Sequence, residues 1–227
     1  MIEIVSATRS SEGEFLSKSA LGISLGRLGN DPRLKAHVAY ANAQGLSRIY
    51  NSRISADTGV EALVFIHDDV WIDDYYLADR VLEGLETYDV IGVAGTKTYM
   101  KGRPGWALLA EASVSEGEAK KDLSGAIASG ETPFGQVSFF GLVPSDVEFL
   151  DGVFIAARKS SLNEKGVLFD TRFDFHYYDV DFCRAARQRG LRLGTWPICL
   201  THQSAGGSYG TPKWKEAHRA YMEKWNE

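Results

Sequence analysis

Residues 62–69 read Ala62-Leu63-Val64-Phe65-Ile66-His67-Asp68-Asp69. Unbroken apolar character over Ala62–Ile66, with no polar alternation, predicts a short central strand covered on both faces. The run stops at His67-Asp68-Asp69. Three side chains of ligand type therefore sit at the carboxyl end of a buried strand, where open α/β sheets gather their ligands.

Working outward, the neighbouring segments alternate between strand and helix periods. Ile2–Ala7 predicts an opening strand and 14–28 an amphipathic helix through Leu21, Leu25 and Leu28. A second strand is expected over 37–41 and a helix over 45–57, burying Leu46, Ile49, Tyr50 and Ile54. Beyond the decisive run, Leu77, Val81, Leu82 and Leu85 repeat at helical spacing, and 90–94 reads as another buried strand. This alternation predicts parallel strands joined by helical crossovers.

From Gly95 the periodicity dissolves into Gly, Ser, Ala, Glu and Lys. The segment 95–136 reads as a long loop excursion with Trp106 inside it. Both a functional lid and an inert insertion fit such a segment. Regular pattern returns over 137–143 and 147–157. A helix follows over 178–189, stopped by Gly190. A strand over 191–200 leads to Thr201-His202, and a Gly/Ser-rich loop precedes a terminal helix over 213–225. With no repeat and no linker, 1–227 reads as a single domain, 203–227 being its C-terminal loop and helix.

The 227 residues, 44% apolar and 24% charged, suffice for one well-cored domain. A net charge of -5 with no basic stripe argues against nucleic acid as the main partner. Cys183 and Cys199 lack zinc-site spacing and read as buried thiols in a reducing compartment. The start, Met1-Ile2-Glu3-Ile4-Val5, lacks the basic head and long apolar core of a secretory signal. No stretch approaches the length of a membrane span. A cytoplasmic location is expected, with peripheral contact to a membrane-bound acceptor left open.

Three clusters carry chemistry. Asp68 and Asp69 are adjacent carboxylates, and their repulsion is relieved by a hard divalent cation such as Mg²⁺ or Mn²⁺. The plainer reading has them open a loop or cap a helix. Asp179 in Tyr177-Tyr178-Asp179-Val180-Asp181 fits either an N-cap or a general base flanked by tyrosines. His176 fits either a ligand or a surface histidine. His202 ends the last strand and becomes a metal ligand if the sheet brings it to Asp69.

Together these residues resemble the family 2-like glycosyltransferases of the GT-A fold. The resemblance is clear over 46–95 and 148–204 and weak over 95–137. It rests on the opening strand Ile4-Val5-Ser6-Ala7-Thr8-Arg9, the acidic "DXD"-type segment His67-Asp68-Asp69, the "ED"-type motif at Tyr178-Asp179, and the closing Thr201-His202. It implies a Rossmann-like α/β/α sandwich with a mainly parallel central sheet. It implies further that Asp69, with His202 as second ligand, holds Mn²⁺ or Mg²⁺ against the diphosphate of a nucleotide-sugar donor. In that picture Ser6, Thr8, Arg9 and Asp68 line the nucleotide pocket, with uridine diphosphate the default, and Asp151 faces the donor sugar or acceptor. Asp179 deprotonates a glycan or glycoconjugate hydroxyl, giving transfer with inversion. Two positions depart from the pattern: His67 stands where many relatives carry Asp, and Tyr178 where they carry Glu. A non-catalytic nucleotide- or glycan-binding relative and a metal-dependent phosphoester or nucleotide-sugar hydrolase are the alternatives.

Overall fold

The computed structural model describes residues 1–99, 101, 122–203 and 210–226. The chain opens as β1 (Ile2–Ala7), α1 (Glu12–Lys18), α2 (Ala20–Leu28), β2 (Leu34–Ala39), α3 (Leu46–Ser55) and β3 (Ala62–Ile66). β2 and β3 flank β1 and run parallel to it, so that Ile4 pairs with Ala36 on one side and Val64 on the other. The single helix expected over 14–28 is two helices. Ser19 is extended between them, and its hydroxyl accepts the Gly22 N–H at 2.9 Å, capping α2. The second strand starts at Leu34, earlier than its apolar pattern suggested.

There follow β4 (Val70–Ile72), α4 (Leu77–Thr87), β5 (Val90–Gly92), β6 (Ala94–Thr96), β7 (Leu123–Ser129), β8 (Gln136–Gly141), β9 (Ser145–Asp146), β10 (Phe149–Leu150) and β11 (Phe154–Arg158). The chain then forms α5 (Lys159–Lys165), α6 (Tyr178–Gln188), β12 (Leu193–Thr195), β13 (Leu200–His202) and α7 (Pro212–Trp225). The main sheet has the order β2-β1-β3-β11-β5-β12-β9. Its strands run mostly in one sense, with β11 and β9 reversed. A second sheet, β10-β6-β7-β13-β4 with β8 paired to β7, stands at the carboxyl end of β3.

The side-chain alternation of β3 builds two cores. Leu63 and Phe65 join Tyr50 and Ile54 of α3, Phe182 and Cys183 of α6 and Tyr221 of α7. Ala62, Val64 and Ile66 join Phe15, Leu21 and Val81 from α1, α2 and α4. Each large side chain so buried contributes roughly 1.5–3 kcal/mol. The result is the expected α/β/α sandwich.

Five expectations are corrected. The runs 90–94 and 191–200 are not single strands: each breaks, at Val93 and at Trp196-Pro197, where the chain passes from the main sheet to the second. The run 147–157 likewise divides into β10 and β11 around Asp151-Gly152-Val153. The 95–136 segment is not wholly a loop, because β7 lies inside it and is the hub of the second sheet. Gly125 (φ 102) makes the β7 bulge, where a Cβ would lie 2.0 Å from the Val93 carbonyl oxygen. Trp106 and the lid reading fall outside the described residues. Cys183 is buried, but Cys199 is exposed. Among the described residues no helix is long and apolar enough to cross a membrane.

Candidate active site

The alternation that sorts Phe65 and Ile66 into opposite cores continues past the end of β3. His67 turns toward α6, where its Nε2 lies 2.8 Å from the Tyr178 hydroxyl. The Asp68 carbonyl turns toward α2 and accepts the Leu21 N–H at 3.2 Å in that helix's first turn. Asp69 leads into β4, which pairs with β13 so that His202 stands opposite Val70. The Gln203 N–H donates to the Asp69 carbonyl at 2.9 Å, and His202 Nε2 comes within 3.2 Å of Asp69 Oδ1. The expected meeting of Asp69 and His202 is therefore present. The structure adds a third member: ligand atoms of His67, Asp69 and His202 all lie within 4.8 Å of one another.

Tyr178 fixes the orientation of His67. Its hydroxyl donates to the Gly152 carbonyl at 2.7 Å, so toward His67 it acts as acceptor. His67 thus carries its proton on Nε2 and keeps its lone pair on Nδ1. Burial lowers the His67 pKa, which keeps the ring neutral. A neutral imidazole donating its other nitrogen to a fixed partner is the arrangement of a metal-ligating histidine. Gly152 permits it, since a Cβ there would lie 2.4 Å from the Tyr178 hydroxyl. The two departures from the resembled pattern, His67 and Tyr178, are hydrogen-bonded to each other.

Asp179 occupies the second position of α6. The N-cap is Tyr177, held in the left-handed region (φ 64), so the capping alternative for Asp179 is corrected. Left-handed backbone at a bulky residue is strained and clusters at functional sites. The Asp179 carboxylate accepts the Gly152 N–H at 3.0 Å. Burial first, and the neighbouring Asp151 charge second, push its carboxyl up to about 7, against the opposing pull of backbone N–H groups. Asp151 accepts the Val153 N–H at 2.7 Å. At His202 burial disfavours the charge, but the hydrogen bond and charge of Asp69, with Asp151 behind them, outweigh it and raise the pKa.

The expected nucleotide-side residues divide. Ser6 is fully buried and donates its hydroxyl to the Ile66 carbonyl at 2.8 Å, bracing β1 against β3. Thr8 is buried with its hydroxyl oxygen accepting the Ser10 N–H at 3.2 Å. Arg9 is exposed and Asp68 half-buried. Around Asp179, within 170–181, Asp181 and Asp170 share the Lys224 ammonium at 2.7 and 2.8 Å, and Trp225 Nε1 donates to Asp181 at 2.9 Å. These two acids fasten α7 to α6. His176 packs edge-on against Phe175. Phe175 stacks on His67, with ring centroids 5.5 Å apart, and sequence periodicity gave no sign of it.

Two imidazoles and one carboxylate, all partly buried and converging, suit a divalent first-row metal. Beside them stands a carboxylate whose proton affinity lies near neutrality, as a general base requires.

No family model and no curated protein matches the sequence. Among solved structures, the chain is similar to the mannosyltransferase PcManGT from Pyrobaculum calidifontis in complex with GDP-Man and Mn²⁺, at 14% identity and a TM-score of 0.50, covering 100% of this chain and 64% of that one. It is also similar to S. aureus TarS 1-349, at 12% identity and a TM-score of 0.48, covering 89% of this chain and 60% of that one. The catalytic domain of Drosophila beta1,4galactosyltransferase 7, in complex with xylobiose, is similar at 11% identity and a TM-score of 0.46, covering 96% of this chain and 79% of that one. The chain thus spans less than two thirds of the first two structures. The fold is that of the GT-A glycosyltransferases.

Proposed function

We propose that this protein is a metal-dependent inverting glycosyltransferase, which moves a sugar from a nucleotide-sugar donor, with UDP as nucleotide, to a hydroxyl of a glycan or glycoconjugate. The observation that carries the reading is the convergence, at the carboxyl end of β3, of the His67, Asp69 and His202 ligand atoms with the near-neutral carboxyl of Asp179. Fold alone carries no chemistry. Among the described residues there is one such ligand cluster, which favours transfer over two-metal hydrolysis.

His67, Asp69 and His202 would hold Mn²⁺ or Mg²⁺, whose charge offsets that of a diphosphate leaving group. In the nucleotide-side set Arg9 is exposed and Asp68 half-buried, while Ser6 and Thr8 are buried at the end of β1. Asp179 accepts the proton of the acceptor hydroxyl as that oxygen bonds to the anomeric carbon. The bond from the anomeric carbon to the diphosphate oxygen breaks, and its electron pair leaves with the nucleotide. A single displacement inverts the anomeric centre. Burial first, and the Asp151 charge second, keep the Asp179 carboxyl basic enough to take a proton near neutral pH.

The test is binding of UDP by calorimetry, with and without Mn²⁺, to the wild type and to Asp69→Ala. Tight binding that needs both the metal and Asp69 is expected. Failure of UDP and other nucleoside diphosphates to bind in either metal state would remove the basis of the reading.

A further inference from the structure

Phe175 is a large apolar side chain left 49% exposed beside the candidate site. One ring face lies on His67, with centroids 5.5 Å apart and planes 27° from parallel, and His176 meets its edge at 5.2 Å. The loop that presents it is pinned at several points. Phe173 is fully buried, and its carbonyl accepts the Ser47 hydroxyl at 2.6 Å. The Asp174 carbonyl accepts the Leu46 N–H at 2.7 Å in the first turn of α3. Gly45 allows that approach, since a Cβ there would lie 2.1 Å from Asp174 Oδ1. Tyr177, on the far side, is buried at the α6 N-cap. The exposure of Phe175 is therefore built into a rigid frame, and the remaining ring surface is a fixed apolar plate.

The alternation past β3 says which substrate faces this plate. His67 and Phe175 lie on the α3–α6 side, with Tyr178 and Asp179. Only the Asp68 backbone carbonyl turns the other way, to the Leu21 N–H of α2. The plate thus shares its side with Asp179, the base of the proposed reaction. The polar edge and apolar C–H face of a pyranose match a carboxylate beside an aromatic ring.

We propose that Phe175 is a specificity-determining residue that stacks on the pyranose ring of the acceptor, so that the acceptor hydroxyl belongs to a sugar residue. This rests on the glycosyl-transfer reading of the same site. The test is saturation-transfer NMR on the whole protein with Mn²⁺ and UDP, using methyl glycosides of the common hexoses and their disaccharides, for wild type, Phe175→Ala and Phe175→Trp. UDP affinity is measured in parallel, and melting curves establish that each variant folds. The expected result is glycoside binding by wild type and Phe175→Trp, weakened about tenfold in Phe175→Ala, with UDP affinity unchanged. Glycoside binding that is equal in all three proteins, or absent in all three while UDP binds, overturns the proposal. So does a Phe175→Ala variant that loses affinity for a UDP-sugar relative to UDP with its glycoside signals intact, which would assign the plate to the donor sugar. Failure of UDP itself to bind is the separate signature of a failed glycosyl-transfer reading.

Discussion

At the scale of single residues, the site is organised by one hydrogen-bonded chain, from His67 Nε2 to the Tyr178 hydroxyl to the Gly152 carbonyl. Tyr178→Phe removes the acceptor that holds the His67 ring while preserving most of the aromatic packing. Loss of such an outer partner typically costs a metal site about 10- to 100-fold in affinity. Calorimetry with Mn²⁺ is expected to show a loss of that size in Tyr178→Phe. Unchanged affinity would mean that His67 is not held for metal binding. Asp69, Asp179 and His202 stood out by residue type and position at element ends, but each kept a plainer reading there and entered the candidate site through the family resemblance. His67 and Tyr178 read only as departures from a pattern, because they lie 111 positions apart and their pairing exists only once α6 docks against β3. Phe175 was illegible for the same reason: nothing local tells an exposed phenylalanine from a buried one.

At the scale of elements, legibility followed the strength of the period. Strands β1 and β3 are short apolar runs and helices α3, α4 and α6 have 3.6-residue patterns, and each appeared within a few residues of its expected place. The break at Val93 was hidden because β5 and β6 are both buried, so the apolar run continues across the switch, whereas at Trp196-Pro197 the exposed proline marks it. β7 was missed because Gly125, Ala126 and Ala128 fill its interior with little apolar mass, next to a stretch of similar composition. Of the acids in the stretch 170–181 only Asp179 was read for chemistry, and two of its neighbours, Asp170 and Asp181, position α7. Asp181 is fully buried with Lys224 and Trp225 as its partners, and Asp170 shares the same ammonium. Removing one partner of a buried pair strands the other charge, typically costing about 3–5 kcal/mol. Lys224→Ala is expected to lose about 3 kcal/mol in urea denaturation, with Asp181→Asn in the same chain restoring part of it. A change below about 0.5 kcal/mol would show that α7 does not depend on this clamp.

At the scale of the whole molecule, the sandwich supplies rigid walls and the second sheet returns His202 to the carboxyl end of β3, so the groups of the candidate site are held at a cost to stability. Asp179 shows this most directly. Its carboxyl titrates at about 7 in the folded protein, because burial and Asp151 penalise its charge, against an ordinary aspartate value near 4 in the unfolded chain. The folded state therefore binds the proton more tightly than the unfolded state. This contribution to stability is greatest below pH about 4 and is lost as the pH rises to about 7. The full shift corresponds to about 4 kcal/mol, and partial solvent access reduces that to about 1–3 kcal/mol. Asp179→Asn cannot ionise, so in metal-free buffer at pH 8 it is expected to be more stable than wild type by about that amount. The advantage should shrink as the pH falls toward 4. On the proposed mechanism the same variant lacks the base and is expected to lose about 10²- to 10⁴-fold in transfer rate, while the wild-type rate rises with pH through about 7. Paired denaturation and rate profiles from pH 4 to 9 measure both. A variant that is no more stable at pH 8 than at pH 4, relative to wild type, would show that Asp179 is not held against its charge. An active variant would move the base elsewhere.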